Sequence, residues 1–232
     1  MPGRPPKVDY LREAFLQNAD SARSLVDKVV ILSGINSGAR RSLNPSHARR
    51  VVELAFLGLV ASWDEFLEQT FVRYMAGAIS NSGYQPILRL GKASNIRHAY
   101  QVLSGKVSYN PNLHYSKFGQ PGWVIDSAKL YFDNGDPFTS GMHPQLHKLE
   151  HAVVLRNRVA HTSQKAKNDF KTSAKQYLGL RSNQPLRQGF SVGDLLTHPA
   201  TRIFGLHGNA QIDYFEAHRL LYRKLALNIV PR

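Results

Sequence analysis

The sequence predicts an all-α fold, and three observations support this prediction. Apolar residues recur at helical spacing over several long segments, no segment keeps the alternation expected of a half-buried strand, and no internal repeat is visible. Helix-start signals such as Asn44 followed by Pro45 precede these segments. Because 232 residues suffice for one well-buried core but are few for two, we predict a single domain over residues 8–232.

The helical segments can be placed in order along the chain. Residues 1–7 are rich in proline, glycine and basic residues, and we expect a disordered basic tail. Long helices are then predicted over residues 8–31, 44–80, 142–161, 164–178 and 210–228. Gly179 is the expected C-terminal cap of the fourth of these helices.

Residues 81–141, between the second and third long helices, differ in composition from the rest. Glycine, asparagine and proline become frequent there, and shorter helical patterns occur at about residues 92–103 and 123–132. We therefore predict an irregular insertion or lid within a helical bundle.

The second helix carries the most regular apolar stripe. Its members are Val52, Phe56, Leu59, Trp63 and Phe66. Steps of four, three, four and three are typical of a helix that packs against other helices in a bundle.

The charge balance predicts a polyanionic partner. Lys and Arg number 30 and Asp and Glu number 16, which leaves a formal net charge of +14. Nucleic acid and an anionic membrane surface both fit this charge, and nucleic acid is favoured. Because the chain has no cysteine, it has no disulfide framework, thiolate metal site or cysteine nucleophile.

We expect a cytoplasmic protein that is not held in a membrane. The first residues lack the apolar stretch of a signal peptide. The most apolar run, Val51 to Ala61, is interrupted by Glu53 and falls short of the roughly 20 residues that span a bilayer.

The third long helix carries an arginine where the spacing asks for an apolar residue. Its predicted inward stripe is Leu146, Leu149, Val153, Arg156 and Ala160. A charged group on a packing face is costly unless it is paired or solvated, so Arg156 is expected to meet a carboxylate, a cleft or a partner subunit.

The adjacent row of this helix ends in Asn157 and His161. These residues are four apart, so the amide could hold the imidazole in one tautomer. Arg156 and His161 lie about 140° apart around an ideal helix. The two side chains can therefore share one site only if Arg156 reaches around the helix, if the helix ends there, or if a second copy of the chain contributes a residue.

The segment Leu155-Arg156-Asn157-Arg158-Val159-Ala160-His161 resembles the Arg-Asn-x-x-x-His signature of the HEPN superfamily. Upstream, Leu54 to Met75 with Trp63-Asp64-Glu65-Phe66-Leu67-Glu68 resembles the apolar helix with an acidic patch that precedes this signature, as in the RiboL-PSP branch.

The resemblance implies a HEPN-like helical bundle that dimerises, so that two signatures line one cleft in which RNA is cut without metal or cofactor. Arg156 and His161 would take the catalytic positions, and Asn157 the polar position beside the arginine. Glu65 or Glu68 could orient Arg156. The resemblance further implies a toxin or antiviral defence component, with an antitoxin or regulatory protein as partner.

Basic residues next to the signature are candidates for RNA binding. They are Arg158 and the lysines spaced four apart on the following helix: Lys167, Lys171 and Lys175. Such a row would bind phosphates along an RNA strand; alternatively, it is a solvated helix face.

Two other functions remain open from the sequence. One is a catalytically inactive HEPN module that binds RNA or a partner such as a nucleotidyltransferase. The other is a metal-dependent hydrolase built on His143, His147 and His151, whose four-residue spacing can bring imidazoles to one metal ion. Such a site would still need a further ligand, and Glu150 points about 100° away from His151 on an ideal helix.

Overall fold

The structure is a computed structural model that describes residues 6–34, 42–108, 117–200, 203–204 and 212–232. In these ranges helices are joined by turns and two isolated antiparallel bridges, and no sheet is formed, so the all-α prediction is confirmed. The helices are α1 (Asp9–Ser33), α2 (Pro45–Met75), α3 (Ile96–Ser104), α4 (Pro121–Tyr131), α5 (Phe138–Met142), α6 (Leu146–Ala160), α7 (Gln164–Leu178), α8 (Val192–Leu196) and α9 (Tyr214–Ile229). None of the helices in the described ranges combines the length and apolarity needed to span a bilayer.

Helix ends follow local signals in the sequence. α7 has the predicted bounds, and Gly179 closes it in the left-handed region, with its N–H donating to the carbonyls of Lys175 and Gln176. α2 ends at Met75 rather than near residue 80, because Gly77 has a φ of 80°, which lies outside the range of a right-handed α-helix.

The third long helix starts later than predicted. α6 begins at Leu146, and residues His143–Gln145 before it form a 3₁₀ turn that contains Pro144. Proline fixes φ and has no N–H, so this turn is a natural place for an α-helix to begin rather than continue. The predicted start of the last helix near residue 210 lies outside the described residues, as do residues 1–5 of the predicted tail.

Two short helices were not predicted. α5 lies within the segment expected to be an irregular insertion, and α8 lies in a stretch expected to be a loop. α8 has a capping box: Ser191 Oγ accepts from the Asp194 N–H, and the Asp194 carboxylate accepts from the Ser191 N–H.

The described residues form two compact units, defined here as the first and second units. The first lies within Met1–Gln17, Ser62–Leu149 and Arg223–Arg232, and the second within Asn18–Ala61 and Glu150–Tyr222. The single domain predicted for residues 8–232 stays a prediction.

The first unit has an aromatic core around Phe71, which is fully buried. The rings of Phe118, Phe132 and Phe138 lie 5.5, 5.0 and 4.8 Å from it. These three rings belong to the segment predicted as an insertion or lid. Large aromatic side chains bury much apolar surface, so this segment supplies part of the core of the first unit.

Arg12 fastens the C-terminal residues within the first unit. The buried Arg12 side chain donates from Nη1 to the carbonyls of Val230 and Pro231, both at 2.9 Å. The Tyr74 hydroxyl donates to the Ile229 carbonyl at 2.9 Å. The Tyr74 bond satisfies the carbonyl of the last residue of α9, and the Arg12 bonds satisfy the two carbonyls that follow the helix.

In the second unit α8 packs closely against α2. A Cβ at Gly193 would lie 2.5 Å from the carbonyl oxygen of Arg49. The Arg49 guanidinium binds the Asp194 carboxylate at 2.7 Å, and the Gly193 N–H donates to the Glu53 carboxylate at 3.2 Å. A glycine is required because the Arg49 contact is with backbone, which cannot move aside cheaply.

We expect Gly193→Ala to destabilise the protein by about 1–3 kcal/mol through this steric clash. Urea unfolding monitored by circular dichroism measures the change. Gly122→Ala is the matched control, because Gly122 is also helical and a Cβ there meets nothing within 4 Å. Equal stability of the two variants would contradict the close packing of α8 on α2.

Candidate functional site

The Arg156 to His161 signature lies where α6 ends. α6 stops at Ala160, residues 161–163 connect it to α7, and Ser163 caps α7 by accepting the Ala166 N–H at 3.2 Å. All of these residues belong to the second unit.

The buried face of α6 differs from the predicted stripe. Its buried residues are Leu149, His151, Ala152 and Leu155. Of the predicted stripe, Leu149 is buried, Leu146, Val153 and Arg156 are partly buried, and Ala160 is exposed. After Leu149, the buried apolar positions lie one residue earlier than predicted. The buried face also includes His151, whose hydrogen bond to Ser173 cannot be read from apolar spacing.

His151 is buried because α7 supplies its hydrogen-bond partner. His151 Nδ1 lies 2.6 Å from the Ser173 hydroxyl, and its ring meets the edge of the Tyr177 ring at a centroid distance of 5.1 Å. A polar group can be buried at little net cost when its hydrogen bond is made. This contact fixes α6 relative to α7 within the second unit.

Tyr177 extends this buried network to α9. Its hydroxyl lies 2.8 Å from His218 Nε2, and its carbonyl accepts the Tyr214 hydroxyl at 2.6 Å. Burial raises the pKa of Tyr177 well above its ordinary value, so the phenol stays neutral. The network therefore fixes the register of α7 against α6 and α9.

His161 is exposed immediately beyond the end of α6. Its N–H donates to the Asn157 carbonyl at 2.9 Å, and its carbonyl accepts from Arg158 Nη1 at 3.2 Å. The backbone of His161 is therefore held at both polar groups. The spacing suggests a hydrogen bond between the Asn157 amide and the His161 ring, but none is present among the described residues.

Arg156 and Asn157 are partly buried in the last turns of α6. The Nε atom of Arg156 lies beneath the surface.

The lysines of α7 do not form a uniform row. Lys167 and Lys171 are exposed, about 6 Å apart along the helix axis. Lys175 is partly buried and donates to the Ser182 carbonyl, while Lys165 binds the Asp169 carboxylate at 2.6 Å. Among the described residues, no carboxylate lies within ion-pair distance of Lys167 or Lys171.

The two candidate acidic residues lie in the first unit. Glu65 is exposed, and Glu68 is partly buried, with its carboxylate accepting the Tyr100 hydroxyl at 2.9 Å. Their predicted role in orienting Arg156 stays a prediction.

The histidine ladder does not gather into a metal-ligand cluster. His143 and His147 are exposed, whereas His151 is buried against Ser173. In the described part of the chain, no group of three or more His, Asp or Glu side chains could hold a metal ion.

Arg156 lies in the last turns of α6, His161 directly follows the end of this helix, and the next helix exposes Lys167 and Lys171. An imidazole can take up and release protons near neutral pH, and a guanidinium can bind phosphate oxygens through two donors. Ser173 and Tyr177, which support this arrangement, were not singled out from the sequence. The buried face of α7, with Phe170 and Ala174 at steps of three and four, was the signal that could have found them.

Comparisons with known proteins found no match to this chain among family models, curated proteins or solved structures.

We expect Ser173→Ala to cost about 1–3 kcal/mol of stability, because it removes the hydroxyl bound to buried His151. The free energy of unfolding in urea measures this cost. Thr172→Ala is the matched control, because Thr172 is exposed and its hydroxyl binds the Asn168 carbonyl of its own helix. A loss no larger for Ser173→Ala than for Thr172→Ala would contradict a structural role for the His151 contact.

Proposed function

We propose that the protein is a metal-independent endoribonuclease of the HEPN type. The observation that carries the proposal is the position of His161. Its exposed imidazole lies directly after α6, and Arg158 is hydrogen-bonded to its carbonyl. The helix that follows exposes three lysines, two of which, Lys167 and Lys171, have no carboxylate within ion-pair distance among the described residues. This is a proton-transfer group next to an electropositive surface.

RNA is the substrate because it carries its own nucleophile. His161 accepts the proton of a ribose 2'-hydroxyl, and the 2'-oxygen attacks the adjacent phosphorus as the bond to the 5'-oxygen breaks. A protonated histidine then donates a proton to the departing 5'-oxygen. The products are a 2',3'-cyclic phosphate and a 5'-hydroxyl, and DNA, which lacks the nucleophile, is not cut.

Arg156 has the electrostatic role in this proposal. The negative charge on the phosphate oxygens grows as the 2'-oxygen attacks, and a guanidinium stabilises that charge through hydrogen bonds from two nitrogens. Asn157 provides a polar side chain next to it. Arg158, Lys167 and Lys171 bind neighbouring phosphates, and Lys175 contributes less because its ammonium is already bound to Ser182.

A homodimer would complete the site. Cleavage requires one base and one acid, and the signature contains a single histidine in each copy. Two copies that contribute to one cleft supply both groups. In keeping with the HEPN resemblance, we place the protein in the cytoplasm as a toxin or antiviral defence component controlled by an antitoxin or regulatory protein.

The alternative is a HEPN module that binds RNA, or a partner protein, without cutting it. Lys167 and Lys171 are exposed and, among the described residues, have no carboxylate partner. They favour this function as much as catalysis, because the attraction of phosphate to a cation does not depend on whether the RNA is then cut. The two functions are separated by cleavage, not by binding.

We expect purified protein in EDTA to cleave labelled single-stranded RNA and leave cyclic phosphate ends. His161→Ala and Arg156→Ala should each lower the rate by about 100-fold or more, with RNA affinity retained for His161→Ala. His47→Ala is the matched control, because His47 is also an exposed histidine of the second unit.

RNA binding without cleavage would support the alternative function, in which the protein binds RNA but does not cut it. Cleavage that both catalytic variants retain would assign the activity to a contaminant. Cleavage lost in EDTA and in His143→Ala would instead support the metal-dependent hydrolase.

We expect the double substitution Lys167→Gln and Lys171→Gln to weaken RNA binding equally for different sequences. For single-stranded RNA, the slope of log affinity against log salt should become shallower by about 0.7 for each lost phosphate contact, or about 1.4 in all. Fluorescence anisotropy at several salt concentrations measures the slope.

Lys165→Gln is the control for this experiment, because its ammonium is bound to Asp169. An unchanged slope in the double variant, or an equal change in the control, would refute α7 as the phosphate-binding face.

A further inference from the structure

A small cleft in the first unit has no role in the proposed ribonuclease. Its volume is about 80 Å³, and aliphatic side chains form most of its wall: Met75, Leu88, Leu90 and Val102. The cleft opens beside exposed apolar residues, since Leu90 and Ile87 are 73% and 72% exposed. A concave apolar surface that also carries a few polar groups is a candidate for a small-ligand site.

Backbone hydrogen bonds fix the walls of the cleft. The Arg89 N–H donates to the Tyr131 carbonyl at 3.0 Å, and Leu88 forms an isolated antiparallel bridge with Phe132. The Ala93 N–H donates to the Met75 carbonyl at 2.9 Å. The cleft is therefore formed before any ligand arrives.

Lys92 supplies a cation at this cleft. Its side chain lies across Gly77, where a Cβ would come within 2.5 Å of Lys92 Cε and 2.9 Å of Nζ. Gly77, with a φ of 80°, thus leaves the space in which the lysine stem rests. Among the described residues, no carboxylate lines the cleft or lies within ion-pair distance of Lys92.

His98 adds a second donor. Its Nδ1 accepts the Ser94 N–H at 3.1 Å, so in the neutral ring the proton is on Nε2. His98 is exposed and lines the cleft together with Lys92. A ligand there meets one ammonium and one ring N–H, but no carboxylate.

The volume limits the apolar part of the ligand. An enclosed apolar cavity of about 150 Å³ holds a benzene molecule, and one water in the liquid occupies about 30 Å³. A cleft of about 80 Å³ therefore takes a branched chain of a few carbons rather than an aromatic ring. An inorganic phosphate would leave the aliphatic walls in contact with water.

We propose that this cleft binds a carboxylate that carries a short branched aliphatic group, with the carboxylate on Lys92 and His98 and the alkyl group against Met75, Leu88 and Val102. Two sources offer this chemistry: a free branched-chain acid, and the C-terminal residue of a peptide. The proposal is independent of the ribonuclease activity.

Saturation-transfer NMR on the full chain tests the proposal with 3-methylbutanoate as the probe, at up to about 10 mM, a range suited to weak ligands. We expect saturation of the methyl groups in the wild type, and at least about tenfold weaker binding in Lys92→Met, which keeps the stem but removes the charge. Lys129→Met is the matched control, because Lys129 is an exposed lysine of the same unit that does not line the cleft.

Related probes test each part of the recognition. Acetate and inorganic phosphate lack the branched group, and 3-methylbutanamide lacks the charge, so all three should bind at least about tenfold more weakly. No saturation of 3-methylbutanoate, or equal binding to Lys92→Met and wild type, would overturn the proposal.

A peptide distinguishes the two sources. Acetyl-Gly-Gly-Val with a free C-terminus is compared with the same peptide ending in an amide. Competition by the free-acid peptide alone assigns the cleft to a C-terminal residue. Binding of 3-methylbutanoate that neither peptide displaces assigns it to a free acid. If the amide peptide competes as well as the free acid, the carboxylate is not recognised and the proposal fails.

Discussion

A buried imidazole must have a hydrogen-bond partner, and the second unit is organised around this requirement. Ser173 meets it for His151, and Tyr177 continues the same network to His218. Without the serine, α6 would have to expose His151 or lose the hydrogen bond that Nδ1 makes with Ser173. The register of α6 against α7 follows from this contact. The positions of the signature residues on α6 and of the lysines on α7 follow from that register.

A helix could be predicted from the sequence where the residues that determine it lie close together in the chain. Both ends of α7 could be predicted because its cap residues, Ser163 and Gly179, lie next to it in the chain. The apolar stripe of α2 from Val52 to Phe66 is buried as predicted, because its period repeats over many turns. α5 and α8, with five residues each, are too short for any period to be read.

The buried face of α6 could not be obtained in the same way. Its assignment depends on whether His151 is polar surface or satisfied core, and the deciding hydroxyl stands 22 residues further along the chain. For the candidate site, the position of the signature near a helix end was predictable. The distinction between Lys175, which binds a carbonyl, and Lys171, which does not, required the turn that brings Ser182 to α7.

The contrast between the backbone and the side chain of His161 has a consequence for regulation. Both backbone polar groups of His161 are hydrogen-bonded, yet among the described residues no hydrogen bond restrains its ring. An imidazole in this state is not pre-organised, and fixing one rotamer and tautomer for proton transfer costs conformational entropy. If the chain is the ribonuclease proposed above, its histidine is therefore not ordered for proton transfer until something restrains the ring. Whatever orders the ring, whether a second subunit or the bound RNA, then acts as its activator.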